Sequence, residues 1–140
     1  MKRLSQSVTK ALRQMGMILP VLLGVILLVG LFKTFVSGEL MSSVFVGSLG
    51  GDAFVGALFG SLMAGNPVNS YVVGKGLLDM HVGLSGVTAF IFTWVTVGVI
   101  QMPAESAALG IKFAVFRAIA AFISALLVAI IVALMVGGVS

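Results

Sequence analysis

Residues 15–32 form a run of eighteen without a single charge, and the 23 residues after Arg117 carry none either. About 20 apolar residues span a bilayer as a helix, and a backbone immersed in hydrocarbon must satisfy every N–H and C=O within itself. Only helices and closed barrels do that. The ten-residue polar/apolar alternation of a barrel strand does not recur along the chain. The sequence therefore predicts an all-α integral membrane protein. Charge is scarce throughout: 9% of the 140 residues are charged, against about 25% in a soluble domain, and mean hydropathy is +1.26. The length allows one membrane domain, residues 1–140, and excludes a multi-domain enzyme.

Half of the eight basic residues, namely Lys2, Arg3, Lys10 and Arg13, precede the first apolar run. A basic cluster beside a membrane segment marks its cytoplasmic side. Residues 1–14 are accordingly read as a basic cytoplasmic segment. The expected location is the inner (plasma) membrane, multi-pass, with the N-terminus in the cytoplasm. The same cluster accounts for much of the net charge of +4, so the expected partner is the lipid bilayer and not nucleic acid. A cleaved leader is not expected. Its apolar core would hold about 7–15 residues, and no Ala-x-Ala site follows this longer run, which continues into Lys33-Thr34-Phe35-Val36.

Four apolar segments are expected, at about 15–36, 40–65, 82–104 and 113–139. Pro20 sits early in the first. The second is irregular, with Gly47, Gly50, Gly51, Gly56, Gly60 and Gly65 and one charge, Asp52. The third carries Thr88, Thr93 and Thr96, which can bond their own helix, and Trp94, read as packing or pore lining. Between segments two and three runs a stretch too polar for lipid and too apolar for a plain loop, 66–81. Pro67 lacks an N–H and biases Asn66 away from helical geometry, so one helix ends there. A short non-spanning helix from Pro67 to Leu78 is expected, giving a Pro/Gly-broken or re-entrant region.

Charge counting compares two topologies. Four full crossings put five basic residues inside and three outside; a re-entrant region between segments two and three leaves three crossings and a 6:2 distribution. The positive-inside rule favours the second.

In segment four, Ala121, Ala125, Ala129, Ala133 and Gly137 recur at four-residue spacing. Small residues on one helix face let backbones approach closely in lipid, which makes this a packing face, within one chain or between copies. Gly56, Gly60 and Ala64, and Gly47 with Gly51, are shorter sets of the same kind. Asp52 has two readings: proton or cation coupling, or capping of a half-helix that begins after a break at Gly50-Gly51. A carboxylate at that depth costs about 2.5–3.5 kcal/mol unless paired, protonated or wet. Lys75 and Asp79, four apart, can pair on a helix. His81 is either a proton relay or an interfacial residue. The methionines show no ligand spacing and read as gap fillers.

No catalytic arrangement emerges: there is one His, no Cys, no zinc-protease or nucleophile-elbow motif and no phosphate loop. The chain is read as a non-enzyme, with no cofactor and no metal site.

The Gly65-Asn66-Pro67 break, with Gly76 after it and the Ala89-Phe90-Ile91-Phe92-Thr93-Trp94 helix beyond, resembles one half of the predicted permease family related to organoarsenical efflux permeases. The resemblance covers most of the chain from about residue 15. It implies a half-size member that assembles as a homodimer around an unknown small solute or ion. Better-known members carry Cys beside the break proline; Val68, Asn69 and Ser70 stand here instead, which speaks against thiol-based arsenical handling. Small multidrug exporters are similar in length but rely on an acidic residue in their first helix, and segment one has none. A broken helix presents free N–H and C=O groups near the membrane midplane. The expected pathway is therefore Gly65, Asn66, Pro67, Asn69, Ser70 and Tyr71 with Asp52, and Lys75, Asp79 and His81 are secondary candidates. The competing class is a non-transporting anchor or assembly subunit, which would have no need of a break at membrane depth.

Overall fold

The structure is a computed structural model that describes residues 2–35, 37–63 and 67–137. Among them there are helices and no strands. α1 (Lys2–Phe35) is followed by α2 (Gly38–Val44), α3 (Leu49–Leu62), α4 (Pro67–Asp79) and α5 (Leu84–Thr96). A 3₁₀ turn (Val99–Gln101) leads into α6 (Met102–Leu109), and α7 (Ile111–Gly137) closes the chain. Three stretches are long and apolar enough to cross a membrane: Leu4–Leu31, Leu84–Leu109 (α5, the turn and α6 together) and Ile111–Gly137.

The basic residues 2–14 continue as helix into the first apolar run, and Pro20 does not interrupt α1. The second expected segment is not one helix. It divides at residues 45–48, earlier than Gly50-Gly51, because Gly47 takes a left-handed φ of +76° and Ser48 caps α3 by accepting the Gly51 N–H. Gly51 thus belongs to a cap and not to a packing seam. The third segment is also divided, at Gly98, where φ is +42°. Nothing in the polarity of residues 82–104 marks that break. α4 begins at Pro67 as expected and runs to Asp79.

α5 is the central element, packed by α3, α4 and α7, while α1 leans on α4. Glycine sets the α3–α5 approach. A Cβ on Gly56 would lie 2.0 Å from the Gly86 carbonyl oxygen, and one on Gly60 would lie 2.2 Å from that of Phe90. Two contacts advancing by four residues on each helix mean that α3 and α5 run parallel, backbone against backbone. α4 returns between them in sequence, its Gly74 against Val87 and Ile91. α7 runs antiparallel to α5: Arg117 meets Thr96 near the end of α5, and Ala129 lies in one cluster with Ala53, Ala57 and Ala89. Phe122, Leu126 and Ile130 pack on that cluster, and Phe122 meets Phe54 edge-on at 6.0 Å.

The alanine face of α7 is partly as expected. Ala125 and Ala129 are buried within the chain, Ala121 and Ala133 are half-buried, and Gly137 is exposed. A strict four-residue step drifts about 40° on a 3.6-residue helix, so the row walks off the interface by its last member. The seam instead extends the other way, through Ala118 and Ala114, with a three-residue step from Ala118 to Ala121 correcting the drift.

Gly56→Ala is expected to force α3 off α5 and destabilise the fold by about 1–3 kcal/mol. Gly24→Ala in α1, with nothing within 4 Å of the added methyl, should stay within about 0.5 kcal/mol. Thermal unfolding of the two variants in one detergent makes the comparison.

Candidate functional site

The parallel packing of α3 and α5 brings their N-terminal ends to one level, and a cleft of about 360 Å³ opens there. Its walls include Phe45, Ser48, Asp52, His81, Ser85 and Ala133. Asp52 is only 3% exposed. Its Oδ1 accepts the Gly47 N–H at 3.2 Å, while the Asp52 N–H donates to the Ser48 carbonyl at 2.9 Å. The side chain thus reaches back across the helix start in the manner of a capping box. Its other oxygen, Oδ2, lies where only a glycine leaves room: a Cβ on Gly83 would fall 2.9 Å from it. Gly83 begins α5 without a side-chain cap. Two helix starts therefore set partial positive charge around one carboxylate.

His81 enters the cleft from the end of α4. Its N–H bonds the Leu78 carbonyl and the Val82 N–H bonds that of Leu77, the paired bonds of a Schellman motif. His81 holds the left-handed position of that motif, with φ of +64°, where glycine is the usual occupant.

The remaining expected residues lie elsewhere. Gly65 and Asn66 fall outside the described residues, as does Ala64. Pro67 opens α4; Ser70 is fully buried and its hydroxyl donates to the Pro67 carbonyl at 2.6 Å. Asn69 is half-buried, and Tyr71 faces outward, 63% exposed. This group lies beyond the C-terminal end of α3, whereas Asp52 sits in its first turn, so about 15 Å of helix separates them. The structure divides the expected pathway in two and gathers Asp52 with His81, a secondary candidate. Lys75 and Asp79 form the expected ion pair along the outer face of α4.

Two further polar features lie along α5, away from the cleft. Thr93 is buried and bonds the Ala89 carbonyl of its own helix at 2.8 Å. At the far end of α5, Arg117 donates to Glu105 at 2.8 Å and to the Thr96 carbonyl at 2.9 Å, tying α5, α6 and α7 together. Among the described residues no three His, Cys, Asp or Glu side chains gather as a metal site.

Beside the polar cleft lies a second, partly open cavity of about 270 Å³, walled by apolar side chains from α1, α2, α3, α4 and α5. Trp94 lines it, edge-on to Phe90 at 5.3 Å. Sequence reasoning missed Phe45, Ser48, Gly83 and Ser85. The signal for Ser48 was present, since a serine three residues before Gly51 and four before Asp52 is a helix start. Nothing local pointed to Gly83 and Ser85, which reach Asp52 only through the α3–α5 packing.

Comparison with protein-family models, curated proteins and solved structures finds no match to the chain.

His81→Gly should relieve the left-handed backbone and stabilise the fold by about 1 kcal/mol. The same substitution removes an imidazole from the cleft. Unfolding measured beside any solute flux separates the two effects, and a variant less stable than the parent would show that no strain is stored at this residue.

Proposed function

We propose that the chain is a permease-like membrane transport protein for a small solute or ion, acting as a homodimer of half-size subunits. The observation that carries this reading is the Asp52 carboxylate, almost wholly buried yet bordering a cleft at the meeting point of two short parallel helix starts. A carboxylate in a membrane domain is costly where it only holds a fold together, and such groups mark ion and solute paths. Short helices ending at a polar cavity are also how transporters with discontinuous helices build their sites.

The proposed topology rests on helix lengths. α3 and α4, with 14 and 13 residues, extend about 20 Å each, short of the ~30 Å hydrocarbon core. They dip in and return to one side. α1, the α5–α6 stretch and α7 make three crossings in the inner (plasma) membrane, with the N-terminus and residues 105–112 in the cytoplasm. The 6:2 distribution of basic residues supports that orientation. The homodimer rests on the half-length resemblance and on α1, whose apolar span is unburied. The resemblance to the permease family supports transport over catalysis, and the break before Pro67 supports it over simple anchoring.

Flux of H⁺, Na⁺, K⁺ and a small organic cation into reconstituted vesicles tests the reading. Asp52→Asn is expected to lower flux at least about tenfold, equivalent to roughly 1.4 kcal/mol in the rate-limiting step, with helical content unchanged and Gly24→Ala at parental rate. No flux from the parent, or equal flux from Asp52→Asn, would favour an anchoring subunit. Orientation is tested separately. A cysteine introduced as Ala108→Cys, unique in this chain, should react with an impermeant thiol reagent only after the membrane is opened. Labelling in intact cells would reverse the topology.

A further inference from the structure

Phe45 lines both cavities. It stands in the break between α2 and α3, and its ring packs against α5 at Gly86, 3.1 Å from where a Cβ would be. The ring thus borders both the cleft that Asp52 lines and a chamber whose lining side chains are all apolar. We infer that the two cavities are halves of one site for an amphipathic cation, its positive head against Asp52 and its apolar body in the chamber. The inference rests on the transport reading and names the substrate class of that site.

Each half limits the occupant. The chamber, at about 270 Å³, is nearly twice the ~150 Å³ that holds a benzene ring, and its apolar walls give a hydrated ion nothing to bond. Met41, Met63 and Met80 contribute to those walls, and unbranched thioether chains adapt to ligands of differing shape. In the cleft, Oδ1 of Asp52 already accepts the Gly47 N–H, and Asp52 is the one acidic side chain among the described lining residues. A single carboxylate falls short of the charge a divalent metal ion needs but suits one ammonium-type charge. A phospholipid phosphate would meet the carboxylate with like charge. The Phe45 ring also borders the cleft, and aromatic rings attract alkylammonium groups.

Trp94 is the sole tryptophan, so its emission reports occupancy of the chamber. The full chain in nanodiscs would be titrated with octyltrimethylammonium, with octanol as the same chain without charge, and with tetramethylammonium as the head alone. The expected result is a saturable change with octyltrimethylammonium at least about tenfold below the octanol midpoint, and none with tetramethylammonium. Asp52→Asn should collapse the preference to less than about twofold while leaving the octanol response intact, which shows that the chamber still forms. Asp52→Glu should retain the preference, and Val73→Phe, which fills the chamber, should weaken both ligands. Equal midpoints in the parent, or a preference that survives Asp52→Asn, overturns the inference. So does quenching of Trp94 by acyl-brominated phospholipid that saturating octyltrimethylammonium does not relieve, which assigns the chamber to lipid. If any of these occurs while ion flux still depends on Asp52, the transport reading stands and only the substrate class falls.

Discussion

Gly56 and Gly60 bring the backbone of α3 onto the carbonyls of Gly86 and Phe90 at a separation no side chain would allow. In hydrocarbon, helices gain nothing from burying apolar surface, because lipid is as apolar as leucine. Association depends on dispersion across close-packed backbones and on interhelical bonds. The contact also fixes a level. It sets Ser48 and Asp52 beside Gly83 and Ser85, and so creates the cleft between two helix starts. The neighbouring helices fit around it: α4 packs its return against α5, and α7 completes the bundle through Ala53, Ala57, Ala89 and Ala129.

The small size of these core residues explains why the bundle needs so little internal polarity. Along the alanine and glycine seams backbones pack directly, and buried hydroxyls turn inward on their own helices, as Thr93 and Ser70 do. Polar groups concentrate at the two ends of α5. Asp52, His81 and Ser85 occupy one end; Arg117, Glu105 and the Thr96 carbonyl occupy the other.

Much of this organisation was legible in the sequence. Long uncharged runs announced α1 and α7, Pro67 placed the start of α4, and the Lys75–Asp79 spacing foretold their pair. Less was legible where a helix breaks without a change in polarity. Gly98 interrupts an apolar stretch that reads as one segment, because the turn depends on a backbone angle and not on hydropathy. The alanine row of α7 illustrates a second limit. Four-residue spacing matches a helix face over two steps but not over four, so the row predicted Ala125 and Ala129 and overreached at Gly137. The site was legible only as far as single residues. Asp52 stood out by its cost in lipid, yet beyond Gly47 and Ser48 its neighbours His81, Gly83 and Ser85 come from about thirty residues away, and no local pattern encodes that meeting.

The two polar ends of α5 are separated by a helix of 13 residues, or about 20 Å. The hydrocarbon core of a typical bilayer is ~30 Å thick. A flat membrane would leave one end immersed in acyl chains, with Asp52 or the Arg117–Glu105 pair stripped of water. The bilayer answers such a mismatch by thinning around the short element. In the proposed three-crossing arrangement the 26-residue α5–α6 stretch still reaches across, so any such thinning would centre on α3 and α4, the helices too short to span. Under that arrangement a solute near the cleft would face a shorter barrier than one crossing elsewhere.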